Sequence, residues 1–256
     1  MGQIRIERTH EGRVGRILID RPEKMNAMTV EMRRAFGEAV RELGEDPAVR
    51  AVVVRGAGER AFSAGGDVAE FLELAPHELV AWGKEMDAAE ACPKPVIAAI
   101  DGYTFGAGFE LALACDIRIA TDRSQFALPE ARLGMMPGSG GSQRLLRLIG
   151  LSRAKYWLLT GRRMDAAEAE RLGVVAKVVP AGELDAAVEE LVGELLKLSP
   201  LSLGVLKRTL QDGADAPLGT ALELERKAYA YLRSSRDYEE GVRAFLEKRP
   251  PRFEGR

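Results

Sequence analysis

Apolar and polar positions alternate at the start of the chain, where Ile4 and Ile6 flank Arg5 and precede Glu7. A second, mostly apolar run covers 14–19, with Gly12 between the two. A period of two around a glycine turn predicts a β-hairpin. After a polar loop at 20–27, Met32, Phe36, Ala39, Val40 and Leu43 recur at spacings of three and four. That spacing predicts an amphipathic helix capped by Thr29 and ended by Gly44. Short apolar runs at 51–54 and 95–100 read as buried strands, and 116–120, 125–129 and 174–179 as further extended segments. Helices are expected at about 75–91, from Gly106 to 114, at 142–149 and throughout the chain beyond Leu184. Strands alternating with helices up to about 180, and helices alone afterwards, predict an α/β core with a helical tail.

Composition narrows the chemistry. The 256 residues are 46% hydrophobic and 30% charged, the balance of an ordinary globular chain. A net charge of -2 disfavours a general nucleic-acid binder. No apolar run approaches the roughly 20 residues of a membrane helix, and no apolar segment near Met1 suggests a signal peptide. A cytoplasmic protein is therefore expected. Cys92 and Cys115 are the only cysteines and are not spaced as a Cys-x-x-Cys pair, so no zinc cluster or other metal site is expected. His10 and His77 are the only histidines, and neither lies near a serine or cysteine elbow. Chemistry then falls to carboxylates and backbone amides. Gly56-Ala57-Gly58-Glu59-Arg60-Ala61 imitates a dinucleotide fingerprint, but that motif must open a helix, and residues 62–66 read as loop.

Three glycine-rich places remain. In Gly106-Ala107-Gly108-Phe109-Glu110, free amides at a helix start favour a developing anion, and Glu110 follows Ala107 by three residues on the first turn. The plainer alternative is that Glu110 only stabilises its own helix end, by about 0.3–1 kcal/mol. Phe62-Ser63-Ala64-Gly65-Gly66-Asp67 lies beyond a buried strand, where ligands of α/β folds tend to bind. Pro129-Glu130 precedes Gly134 and a loop over 137–141.

Together these segments resemble the crotonase (enoyl-CoA hydratase/isomerase) superfamily, most closely its bacterial enoyl-CoA hydratases. The resemblance runs in order through Arg21-Pro22-Glu23-Lys24-Met25-Asn26-Ala27-Met28, residues 61–68, 93–103, 106–116 and 126–144, and Ser199-Pro200-Leu201. It implies a spiral core of repeated β-β-α units at 1–195 and a helical trimerisation domain at 196–256. It implies a homotrimer or hexamer, an acyl-CoA thioester substrate and no separate cofactor, coenzyme A being part of the substrate. By motif position the oxyanion-hole amides belong to Ala64 and Ala107, the latter replacing the glycine of many relatives. The two glutamates of the hydratases correspond to Glu110, to hold and activate water, and Glu130, to supply the α-carbon proton. The Gly138 amide, at a helix start, is a supporting candidate.

The same resemblance puts coenzyme A along Lys24, Met25, Ala27, Ala64, Gly65, Gly66 and Asp67, with Phe245 and Lys248 reaching it from the tail of the same or a neighbouring subunit. Trp82, Phe105, Phe109 and Met136 are candidates for the acyl pocket, and equally for core packing. Retention of both glutamates favours hydration over the isomerase, hydrolase and decarboxylase activities of the superfamily. An RNA-binding homologue, with Arg33, Arg34 and Arg41 as a small basic face on the first helix, and a non-catalytic scaffold are the remaining alternatives.

Overall fold

The computed structural model describes residues 2–256, with the side chains of Pro76, Leu79 and Trp82 outside the description. The predicted hairpin is β1 (Gln3–Thr9) and β2 (Val14–Asp20), paired antiparallel around a turn in which His10 and Glu11 take positive φ. Next come α1 (Val30–Glu45), β3 (Ala51–Gly56), β4 (Ala61–Ser63), α2 (Pro76–Ala91), β5 (Val96–Ile100), β6 (Tyr103–Phe105) and α3 (Ala107–Ala114). They are followed by β7 (Ile117–Thr121), β8 (Gln125–Ala127), α4 (Gly141–Ile149), α5 (Leu151–Thr160), β9 (Met164–Asp165), α6 (Ala166–Arg171) and β10 (Lys177–Val179). The chain then runs through α7 (Leu184–Leu195), α8 (Pro200–Ala214), α9 (Leu218–Arg233) and α10 (Arg236–Leu246).

Two sheets result. The larger has the order β1-β2-β3-β5-β7-β10, parallel after the hairpin, and the smaller has the order β4-β6-β8-β9. Successive strands therefore alternate between sheets: β3 then β4, β5 then β6, β7 then β8, each pair followed by helix. This is the expected spiral of β-β-α units, a mixed α/β fold. Strands β3 and β5 are buried on both faces, which is why they carry no polar alternation. Val52, Val54, Val96 and Ala98 face Met32, Phe36 and Val40 of α1. Val53 and Ile97 face Leu184, Val188 and Val192 of α7 on the other side.

Some boundaries differ from the sequence reading. Helix α1 runs through Gly44 and ends at Glu45, with Asp46 as its cap. Gly44 serves packing: a Cβ there would lie 3.2 Å from both Cys92 Sγ and Pro93 Cδ. Phe62 and Ser63 belong to β4 rather than to a loop, so the Gly56–Ala61 segment joins two strands and opens no helix. Only 177–179 of the expected 174–179 strand is extended. Beyond α7 the chain touches the core through few bonds. The half-buried Lys207 donates from Nζ to Asp116 Oδ2 at 2.7 Å, Ala89 O at 3.0 Å and Lys94 O at 3.2 Å. The final residues fold back, with the Glu254 and Gly255 amides donating to the buried Asp237 carboxylate. No helix among the described residues is long and apolar enough to cross a membrane.

Asn26 fixes the loop between the hairpin and α1. It is buried, its Oδ1 accepts from Arg21 N at 3.0 Å, and its Nδ2 donates to Ala57 O at 2.9 Å and Ala61 O at 2.7 Å. Asn26→Ala leaves these groups without partners at an expected cost of about 2–4 kcal/mol, read from urea unfolding. A loss below about 0.5 kcal/mol would mean that these bonds do not hold the loop.

Candidate active site

Three chain segments meet beyond the ends of β4, β6 and β8. The first, 63–67, is tied down from both sides: Ser63 Oγ donates to Asn26 O at 2.8 Å and Met28 N to Gly65 O at 2.8 Å. Gly65 has φ +107, and a Cβ on it would come within 2.9 Å of Phe105 O and 3.3 Å of Ala107 N. Glycine thus lets this segment lie against the second, the start of α3. There Gly106 has φ +50, and a Cβ on Gly108 would meet Ser63 O at 2.3 Å, so α3 also rests directly on β4. The third segment carries Glu130 in a short 3-10 turn after β8 and then the 134–141 loop into α4.

The amides of these segments are not equivalent. Ala64 N donates to Met25 O at 2.9 Å and Gly65 N to Ser63 Oγ at 3.2 Å. Asp67 N donates to Met28 O at 3.0 Å. Among the described residues, Gly66 N has no acceptor within the protein, and neither has Ala107 N at the first position of α3. Ala64, assigned from motif position, therefore has its N–H committed to the protein itself, and Gly66 is the residue of this segment with a donor to spare. Gly66, Ala107, Gly106, Glu110, Glu130 and Gly138 all line one cavity of about 280 Å³, with Ala64 and Gly65.

The two carboxylates in that cavity have different surroundings. Glu110 is 3% exposed, and its Oε1 accepts from Ser139 N at 2.7 Å and Gly141 N at 2.9 Å. Gly141 has to be glycine for this contact, because a Cβ would sit 2.8 Å from Glu110 Cγ. The sequence reading gave the supporting amide to Gly138 at a helix start. Helix α4 starts at Gly141, and the amides that orient a carboxylate here are those of Ser139 and Gly141, while Gly138 lines the cavity. Glu130 Oε2 is buried with no hydrogen-bond partner. Burial pushes the Glu130 carboxyl up to about 7; a backbone hydrogen bond opposes it, and the nearby charge of Glu110 adds the smallest push, upward.

A carboxylate held by amides, a second carboxyl that keeps its proton near neutrality and two spare amides form a site for acid–base chemistry beside a developing oxyanion. The family model for enoyl-CoA hydratase/isomerase matches residues 9–256. The chain belongs to the enoyl-CoA hydratase/isomerase family. It is 37% identical to the short-chain-enoyl-CoA hydratase of Clostridium acetobutylicum over 243 residues, covering 93% of each chain. It is 37% identical to the crotonyl-CoA hydratase of Syntrophomonas wolfei over 247 residues, covering 95% of each. The enoyl-CoA hydratase crystal structure from Bacillus anthracis superposes with a TM-score of 0.94 at 35% identity, covering 99% of this chain and 100% of that one.

Most of the other residues singled out from the family motifs are not among the lining of the cavity. Lys24, Met25 and Ala27 run beside the 63–67 segment, and Asp67 is paired with Arg21 at 2.7 Å and caps the following turn. Phe245, 82% exposed, and Lys248 lie at the end of α10. Of the acyl-pocket candidates, Met136 lines the cavity, Phe109 is a core residue packed on Phe126, and Phe105 lies beside Tyr103 and Arg163. The Trp82 side chain lies outside the described residues. Sequence reasoning missed Val68, Phe71, Leu133, Met135 and Ser139, which line the cavity, and above all Arg33. Arg33 is buried rather than part of a basic face, and Arg41 pairs with Glu85 at 2.9 Å. The signal was present: Arg33 precedes Phe36 by three residues and Val40 by seven, on the buried side of α1.

The raised Glu130 carboxyl has a consequence for stability. The folded chain keeps this proton from about pH 4.5 to about 7, where an unfolded glutamate has lost it, so stability falls as pH rises through that window. Glu130→Gln removes the ionisation. The variant is expected to gain stability relative to the parent between pH 5 and pH 8 in denaturant unfolding, and an equal difference at both values would contradict the buried-acid reading.

Proposed function

We propose that this chain is an enoyl-CoA hydratase, a hydro-lyase that adds water across the double bond of a trans-2-enoyl-CoA to give the 3-hydroxyacyl-CoA. The observation that carries this reading is the pair of unlike carboxyl groups, Glu110 and Glu130, facing one small cavity beside the spare amides of Gly66 and Ala107. The carbonyl oxygen of the thioester accepts from those two amides. Gly66 takes the role that motif position gave to Ala64, because the Ala64 N–H is already donated to Met25 O. Ala107 keeps the donor its position requires, since an alanine N–H serves as well as a glycine's.

Water enters between the carboxyl groups. Glu110 takes a proton from it as its oxygen bonds to the β-carbon. The electron pair of the double bond moves through the α-carbon toward the thioester oxygen, where the amides stabilise the charge. Losing one such donor costs about 3 kcal/mol in comparable sites. Glu130, protonated near neutrality, then supplies the α-carbon proton. The enolate collapses to the saturated thioester, and the proton left on Glu110 returns to Glu130 through solvent before the next turnover. Isomerisation, thioester hydrolysis and decarboxylation in the same fold would give other products, and two carboxyl groups fit hydration best. No cofactor enters this reading.

Coenzyme A is assigned to the strip along Lys24, Met25, Ala27, Gly65, Gly66 and Asp67, with Phe245 and Lys248 closing on it. We divide the chain at 195, with the three helices beyond it as the assembly domain of a cytoplasmic homotrimer or hexamer. Support comes from the apolar surface of those helices, where Leu210 is 64%, Leu218 75%, Phe245 82% and Leu246 73% exposed.

Purified protein is expected to consume crotonyl-CoA with loss of the conjugated absorbance, and Glu130→Gln to lower kcat by about 10²–10⁴-fold while acyl-CoA binding persists. Near-parental turnover of that variant would remove Glu130 from the mechanism. Sedimentation at micromolar concentration is expected to give a trimer or its double, and a monomer alone would contradict the role given to the tail.

A further inference from the structure

The Ser139 and Gly141 amides orient Glu110, and an amide points only as well as its backbone is held. The loop that leads to them contains Gly134, Gly138 and Gly140, the first at φ +72 and the last at φ +96. Glycine gives up more backbone freedom on ordering than any other residue, so such a loop needs anchors outside itself.

Arg144, on the first turn of α4, supplies one. Its Nη1 donates to Ser139 O at 2.9 Å. Ser139 is thus bonded on both sides, its N–H to Glu110 and its carbonyl to Arg144. The remaining donors of the guanidinium go to α2. Nη2 donates to Asp87 Oδ1 at 2.6 Å and to Glu90 Oε2 at 2.5 Å, and Nε to Glu90 Oε2 at 3.2 Å. Two carboxylates around one guanidinium fix the plane of its fork. The Arg144 side chain is 13% exposed, so this is a partly buried clamp and not a solvated surface pair. Helix α2 is itself held from behind, where Gln211 Nε2 of α8 donates to Glu90 O at 2.9 Å.

Two glycines make room for the clamp. A Cβ on Gly140 would lie 2.0 Å from Arg144 Nη1, so glycine there lets the guanidinium reach the Ser139 carbonyl. A Cβ on Gly83 of α2 would lie 2.8 Å from Gly138 O, so glycine there lets α2 lie against the loop. Arg144 is not among the residues that line the cavity. Any effect it has on the reaction therefore passes through Ser139. The orientation of a reacting group is worth a great deal, since a misplacement of about 1 Å can cost about 10²-fold in rate.

We propose that Arg144 is a positioning residue for the hydration: it ties the Ser139 carbonyl to α2 and thereby keeps the Ser139 N–H aimed at Glu110. The proposal rests on the hydratase reading for its effect on turnover, and on the Arg144 bonds for the placement of Ser139.

The test is Arg144→Gln, read by steady-state kinetics on crotonyl-CoA and by amide hydrogen exchange. The kcat is expected to fall by about 10- to 10²-fold while KM stays within about twofold, because the change lies outside the cavity lining. Arg144→Lys keeps the charge but not the fork and is expected to recover part of the loss. Exchange at the Ser139 and Gly141 amides is expected to quicken by about tenfold or more in Arg144→Gln, with exchange in β3 and β5 unchanged. A merely structural role would quicken all of these amides together and leave the kcat of the folded protein at its parental value. Parental kcat in Arg144→Gln, or unchanged exchange at Ser139, overturns the proposal. Should Arg144→Gln fail to fold, the double variant Asp87→Asn, Glu90→Gln keeps the arginine and weakens its anchor on α2. Both readouts are then expected to move in the same directions, and no change in either overturns the proposal. Exchange needs no turnover. A parent that leaves crotonyl-CoA untouched contradicts the hydratase reading, while the Ser139 and Gly141 amides still report whether Arg144 holds them.

Discussion

The two hydrogen bonds from Ser139 and Gly141 to Glu110 are the interaction on which the site depends. A buried carboxylate on the first turn of α3 needs donors. The 134–141 loop supplies them and is itself fixed by doing so. That loop follows the turn bearing Glu130, so the bond that satisfies Glu110 also holds the second carboxyl against the same cavity. A Cβ at Gly141 would break this arrangement, and one at Gly65 or Gly108 would push the start of α3 away from β4 and the 63–67 segment. Glycine is used at these places to let three backbones approach one another.

Burial then differentiates two chemically identical side chains. Glu110 receives donors, and Glu130 Oε2 receives none and keeps a proton to about pH 7. Two carboxyl groups of unlike proton affinity thereby share one small space. The arrangement costs stability, since a buried carboxyl without partners is unfavourable once ionised. Arg33 adds a buried positive charge to the lining of the same cavity.

Much of this was legible in the sequence. The apolar runs at 51–54 and 95–100, the helix stripe from Met32 to Leu43 and the glycine-rich starts marked the core strands, α1 and α3. Each glutamate stood out as a candidate through the glycine or proline signal beside it, and their pairing came from the resemblance to the crotonase superfamily. The second sheet was less visible, since β4, β6 and β8 are three residues each, too short for a period to register. Gly44 read as a stop because a glycine near a helix end usually is one, and here close contact with Cys92 and Pro93 decided instead. Ala64 and Gly66 could not be told apart by motif, as which amide is free depends on where the Met25 carbonyl lies. Arg33 was hidden by its charge, which suggests solvent, although its spacing to Phe36 and Val40 places it on the inner face of α1.

The central claim is that two carboxyl groups deliver the elements of water to an enoyl thioester. Its most direct test is product analysis after incubating crotonyl-CoA with the protein in water enriched in ¹⁸O. The account predicts a 3-hydroxybutyryl thioester that carries one heavy oxygen on its β-carbon. Unchanged thioester, a shifted double bond without gain of mass, or heavy oxygen only in a released acid would contradict it.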